Sequence, residues 1–143
     1  MLREILTISG KPGLYKLLSR GRTMLIVETI DSTHKRLPVH GTDKVVSLGD
    51  IAMYTDGDEV PLWQILETVK EKYSGGPSDI DYKAASNEEL AEFFAEILPN
   101  YDRDRVYMTH VRKLIQWYNI LVENGVTEFK PDDEDEEKKE EQD

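Results

Sequence analysis

The hydrophobic period of this chain changes once, near residue 56, and that change limits the folds open to it. Before it, apolar residues alternate in short runs; after it, they recur at about the 3.6-residue period of a helix. A chain divided in this way predicts an α+β protein with its β structure first. The stretch 109–125 is the strongest helical signal. Val111, Leu114, Ile115, Tyr118, Leu121 and Val122 share one face there, and Trp117 widens it. Thr109 is placed to cap its start and Gly125 to end it. Such a stripe must be buried, so two earlier helices are expected to cover it.

Those helices have their own signals. Pro61 suits a first helical position, and Leu62, Ile65, Leu66, Val69 and Tyr73 form an apolar face behind it. Ser74-Gly75-Gly76-Pro77 stops that helix, and the polar run to Ala85 reads as a loop or flexible linker. Ser86-Asn87-Glu88-Glu89 is a capping box, followed by the stripe Leu90, Phe93, Phe94, Ile97 and Leu98 up to Pro99. The helical unit is therefore assigned to residues 57–130.

Residues 1–56 read as β structure. Ile5–Ile8 and the segments 14–19, 23–30, 35–40 and 51–55 are short, rich in Ile, Val, Thr and Tyr, and separated by turn residues. Residues 2–6 carry the alternative of an opening helical turn. Gly10-Lys11-Pro12-Gly13 puts Pro and then Gly at the centre of a type II turn. Arg20-Gly21-Arg22 and Asp31-Ser32-Thr33 read as hairpin tips. Pro38 cannot donate to a ladder, so its strand is expected at an edge. Five strands in so few residues predict a small, strongly curved barrel of the SH3-like or partly open Greek-key kind, and the SH3-like β-barrel is the form expected.

Charge divides the chain differently. The formal net charge is −11, but residues 131–143 hold nine acids and two lysines, or −7. That composition predicts a disordered acidic tail, whose alternative role is to mimic nucleic acid within the chain. Residues 1–55 carry eight Lys/Arg against five Asp/Glu, or +3. There is no cysteine, which removes disulfides and thiolate metal sites. No apolar run is long enough for a signal peptide or a membrane span, so a cytoplasmic protein without a membrane partner is expected.

No motif of chemistry survives inspection. Gly10-Lys11 lacks the preceding Gly and following Ser or Thr of a phosphate loop, since Ile5 and Pro12 stand there. His34, His40 and His110 lie far apart, and Leu114 occupies the position four residues after His110. No cysteine nucleophile or Gly-x-Ser-x-Gly elbow exists. Neither cofactor, metal nor catalytic residues are expected. The one functional slant is the basic first third: Lys11, Lys16, Arg20, Arg22, Lys35 and Arg36 fall at turns and strand ends, with Tyr15 and Tyr54 nearby in pattern. Small barrels bind nucleic acid through such a rim with stacked aromatics. Scattered surface charge is the competing reading. On the last helix, Arg112, Lys113, Gln116 and Asn119 read as a solvated face, since the ten-residue connection 99–108 is too long for the helix-turn-helix that the alternative, a recognition helix, requires. Trp63 and Trp117 are expected in the core, with a peptide groove as the alternative.

Three runs look alike to a known family: residues 2–16 (LREILTISGKPGLYK), the start Ser86-Asn87-Glu88-Glu89-Leu90, and residues 98–107 (LPNYDRDRVY) leading to Trp117-Tyr118-Asn119. Through them the chain resembles a family of uncharacterised Bacteroidetes proteins with a domain of unknown function followed by a second small domain. The resemblance implies a bacterial cytoplasmic protein, β-rich first and helical second. It implies no activity and carries over no functional residue. The expected function is a non-enzymatic interaction or regulatory module that binds a protein or nucleic-acid partner through the barrel rim. Protein–protein or homo-oligomeric association, and a small-molecule enzyme with its site at the barrel–helix junction, are the alternatives.

Overall fold

The computed structural model describes residues 2–130. A single 3₁₀ turn, Leu2–Glu4, leads into β1 (Ile5–Ile8), so the two readings of this opening are both realised in succession. β2 (Lys11–Arg20), β3 (Met24–Thr29) and β4 (Arg36–His40) follow as an antiparallel meander, and β5 (Val45–Ser47) returns to the free side of β1. The sheet order is β4-β3-β2-β1-β5. A barrel would need β4 to pair with β5, and no ladder joins them among the described residues. The expected SH3-like barrel is thereby corrected to an open five-stranded sheet. The reason lies in its edges: β5 is three residues long, and β4 contains Pro38, which lacks a donor. Two register shifts, opposite Leu6/Ile8 and at Leu17/Ser19, bend the sheet without closing it.

The first turn also sits earlier than expected. Ile8 pairs with Lys11, so Ser9 and Gly10 are the central residues, with Gly10 at φ +83°. Lys11, Pro12 and Gly13 already belong to β2. The other two tips form as predicted. Gly21 N donates to Met24 O at the first. At the second, Asp31 accepts from the Thr29 and Thr33 hydroxyls and from the Thr33 and His34 amides at 2.6–3.2 Å. These donors favour the carboxylate and hold its pKa down at about 2.

Both faces of the sheet carry apolar residues. Ile5 and Leu14 join the helices in the main core, whereas Leu6, Ile8, Tyr15, Val27 and Val39 pack inside the curl of the sheet. Residues 51–55 do not extend this sheet. Ala52–Met53 (β6) instead pairs with Val60–Pro61 (β7) as a separate ribbon. The true fifth strand is held by contacts that no local pattern announces. Ser47 Oγ donates to Arg3 O at 2.9 Å and accepts from Gly49 N at 3.1 Å. Gly49 lies so close to Arg3 that a Cβ would come within 2.7 Å of Arg3 Cγ and 3.0 Å of Arg3 Cα.

The three helices are α1 (Leu62–Lys72), α2 (Asn87–Ile97) and α3 (Met108–Glu123). Pro61 takes the cap position of α1 rather than its first turn. Ser86 Oγ accepts from Glu89 N at 3.1 Å, the Ser half of the expected box. α3 starts at Met108, so Thr109 lies inside it; Tyr107 N donates to His110 Nδ1 at 3.3 Å. Gly125, at φ +83°, follows the end of α3 as the spacing predicts. The stripes of all three helices meet in one cluster with Leu2, Ile5, Leu14 and Leu48.

The run between α1 and α2 is no free linker. Tyr118 Oη donates to Gly76 O at 2.6 Å, and Asn119 Oδ1 accepts from Ser78 N at 2.8 Å. Arg112 reaches Tyr82 O and Ala85 O, both at 2.7 Å. Arg112 and Asn119, read from sequence as a solvated face, strap this loop to α3. The expectation of a disordered tail over residues 131–143 lies outside the described residues.

Two outcomes follow from these contacts. Arg112→Met removes two charged hydrogen bonds to buried-side carbonyls and should cost about 2–3 kcal/mol in urea unfolding. Amide exchange over residues 76–85 should rise more than in α2. The Asp31 pKa is lower in the folded state than its unfolded value near 3.9. Its stabilisation is therefore present above about pH 4 and lost as pH falls toward 2. The stability gap between the wild type and Asp31→Asn should close across that window.

Candidate functional site

With its apolar face buried and Arg112 and Asn119 strapping the loop, α3 leaves a third side toward the sheet. His110, Lys113 and Trp117 fall at i, i+3 and i+7 on that side, with Gln116 beside them. Two adjoining hollows share Lys113 and Trp117. The wider, about 450 Å³, runs between the β1–β2 turn and α3 and carries Lys11, Lys44, Lys113 and Gln116. Ser9 N donates to Lys44 O at 2.9 Å, which ties Lys44 to the turn preceding Lys11. The narrower hollow, about 210 Å³, is walled by Ile51, Met53, Val106 and Trp117, with Tyr54, Arg105 and His110 about its mouth.

No acidic side chain among the described residues lines either hollow. Arg105 is partly engaged already. Its Nε donates to Asp102 Oδ2 at 2.7 Å, and its guanidinium lies 4.3 Å from the Tyr54 ring centre. The hydrogen bond to Asp102 raises the Arg105 pKa and lowers that of Asp102. Lys11, Lys44 and Lys113 are exposed and form no ion pair among the described residues. Three ammonium groups and a half-buried indole thus face one groove.

The sequence-derived rim is spread over the sheet rather than gathered. Lys11 alone enters the groove. Tyr15 is only 6% exposed, and its hydroxyl donates to Pro12 O at 3.0 Å. Burial raises its pKa, and it cannot stack on a partner. Lys16 and Arg36 flank Glu28 in the β2–β3–β4 register, as opposite charges on neighbouring strands. Arg20 and Arg22 stand at the β2–β3 tip, and Lys35 at the β3–β4 turn, all exposed. Lys44 and Arg105 carry no local signal because they come from separate connections, whereas in the sequence His110 reads only as a candidate metal ligand and Lys113 only as part of the polar face of the last helix. Only the spacing of His110, Lys113 and Trp117 could have signalled the latter two.

A second cleft, about 520 Å³, opens between the sheet and the end of α3, where the enzyme alternative looked for a site. Glu4, Lys16, Glu28, His34 and Glu128 line it. His34 Nδ1 stands 3.6 Å from Glu28 Oε1, beyond hydrogen-bond reach, and the His34 side chain is 67% exposed. Glu28 is half-buried, but no side-chain hydrogen bond joins these five groups among the described residues. Among the described residues, no three His, Asp or Glu side chains converge on a metal position.

Comparison with known proteins covers both parts of the chain. Residues 2–48 match the family described as Domain of unknown function (DUF5606), and residues 51–121 match Domain of unknown function (DUF6852). No curated protein matches the chain. A protein of Bacteroides vulgatus with a solution NMR structure is 62% identical, with a TM-score of 0.77 over 90% of this chain and 91% of that one. The chain belongs to the Bacteroidetes family that joins these two domains of unknown function.

Proposed function

We propose that the protein is a non-enzymatic interaction module that holds an extended polyanionic partner between its first hairpin turn and α3. The observation that carries this reading is the convergence of Lys11, Lys44 and Lys113 beside Trp117 in a protein of formal charge −11. The net charge repels an anion at long range, but salt screens that field within about 8 Å. Inside the groove the nearest charges are the ammonium groups. Phosphates or carboxylates of the partner would pair with them while its apolar parts lie on Trp117. A cytoplasmic setting belongs to the same proposal and rests on the family resemblance.

Retention on immobilised heparin and titration with inorganic polyphosphate test the site. Affinity should fall steeply with salt, and each lysine removed should lower the slope of log affinity against log salt by about 0.7. Lys11→Glu, Lys44→Glu and Lys113→Glu should each weaken binding, whereas Arg20→Glu with Arg22→Glu should leave it nearly unchanged. Loss of binding in the Arg20/Arg22 pair, with the three lysines indifferent, would move the site to the sheet rim and refute the groove.

A further inference from the structure

We infer that the partner of this groove is a single-stranded nucleic acid, with one base in the narrow hollow and its flanking phosphates on the lysines. This deepens the polyanion reading and rests on it. The two hollows differ in chemistry. Lys11 and Lys44 belong to the wide one, while Met53, Tyr54 and Val106 belong to the narrow one; Lys113 and Trp117 stand at their junction. A nucleotide has the same division, with a charged backbone on one side and a flat apolar-faced ring on the other. The narrow hollow, about 210 Å³, has room for about seven water molecules, which is the bulk of one pyrimidine base.

Other polyanions fit less of it. The carboxylates of an acidic polypeptide would satisfy the lysines and leave the Met53, Val106 and Trp117 walls uncovered. A duplex keeps its bases stacked within and offers such a pocket nothing to take up. A single strand presents both groups at once, and base–aromatic stacking tolerates any sequence. The aromatic surface takes in Tyr54 of the pocket and continues past it to Tyr107. Tyr54 is 40% exposed beneath the Arg105 guanidinium, and Tyr107 is 61% exposed with its ring 5.3 Å from that of His110. Arg105 covers one face of Tyr54, and the exposed part of the Tyr107 ring suits the next base along the strand.

The test uses the full chain and fluorescence anisotropy with three labelled probes: a thymidine oligomer of about twelve nucleotides, an abasic strand of equal length and charge, and polyglutamate. The thymidine strand should bind about tenfold more tightly than the abasic strand. Tyr54→Ala and Trp117→Leu should each erase most of that difference, and Lys113→Glu should weaken both strands. Tyr54 is exposed, so its substitution keeps the test valid if Trp117→Leu fails to fold. Equal affinity for the two strands overturns the inference but leaves the polyanion groove standing. So does preference for polyglutamate, or for the thymidine strand once it is annealed into a duplex. Failure of all probes, together with heparin and polyphosphate, removes the groove as well.

Discussion

The burial of α3 is the interaction on which both the fold and the candidate site depend. Val111, Leu114, Ile115, Tyr118 and Leu121 are each at most 1% exposed, enclosed by α1, α2 and the inner residues of the sheet. Side chains of this kind are worth about 1.5–3 kcal/mol each when withdrawn from water. Fixing that face also fixes the rotation of the helix. One polar edge then meets the loop after α1, and the other meets the first hairpin turn. One wall of the groove is therefore a by-product of core packing, and the first hairpin turn and Lys44 supply the other.

Electrostatics alone would not have drawn attention to this surface. The cations of residues 1–55 are dispersed by the sheet, because alternate positions and separate turns point them apart. Glu28 sits between Lys16 and Arg36 and offsets two of them. The groove gathers its charge from three places instead: the start of β2, the approach to β5, and α3. Under the proposed reading, a local cationic surface on an acidic protein favours anions that come close, since the distant field gives no steering.

Much of the fold was legible because its signals are local. The stripes of α1, α2 and α3, the Ser86 cap, the Gly125 stop, the first four strands and the edge position of Pro38 all follow from nearby residues. What escaped depends on distant ones. Val45-Val46-Ser47 is too short to announce a strand and exists through its pairing with β1 and the Ser47–Arg3 contact. Barrel closure required a β4–β5 ladder that composition could not exclude. The roles of Arg112 and Asn119 could not be told from those of Lys113 and Gln116 until the packing of the helix was known. Of the residues singled out in the sequence, Lys11 lines the wide hollow and Tyr54 the narrow one, while the others lie elsewhere on the sheet.

The two-sided packing of the sheet has a consequence for how its strands find their alignment. In β1, Ile5 serves one core while Leu6 and Ile8 serve the other, and Leu14 and Tyr15 divide in the same way on β2. Where one face of a strand is wet, sliding by one position exposes its greasy residues and is rejected at once. Here a slide of β1 would exchange Ile5 for Leu6, keeping a greasy residue at that place and moving only Thr7 onto the side of the second core. The frame must be held elsewhere, by the left-handed Gly10 and by the bulges that leave only one way to count along β2. In this sheet a substitution among Ile, Leu and Val threatens alignment less than a single change at the Ser9-Gly10 corner.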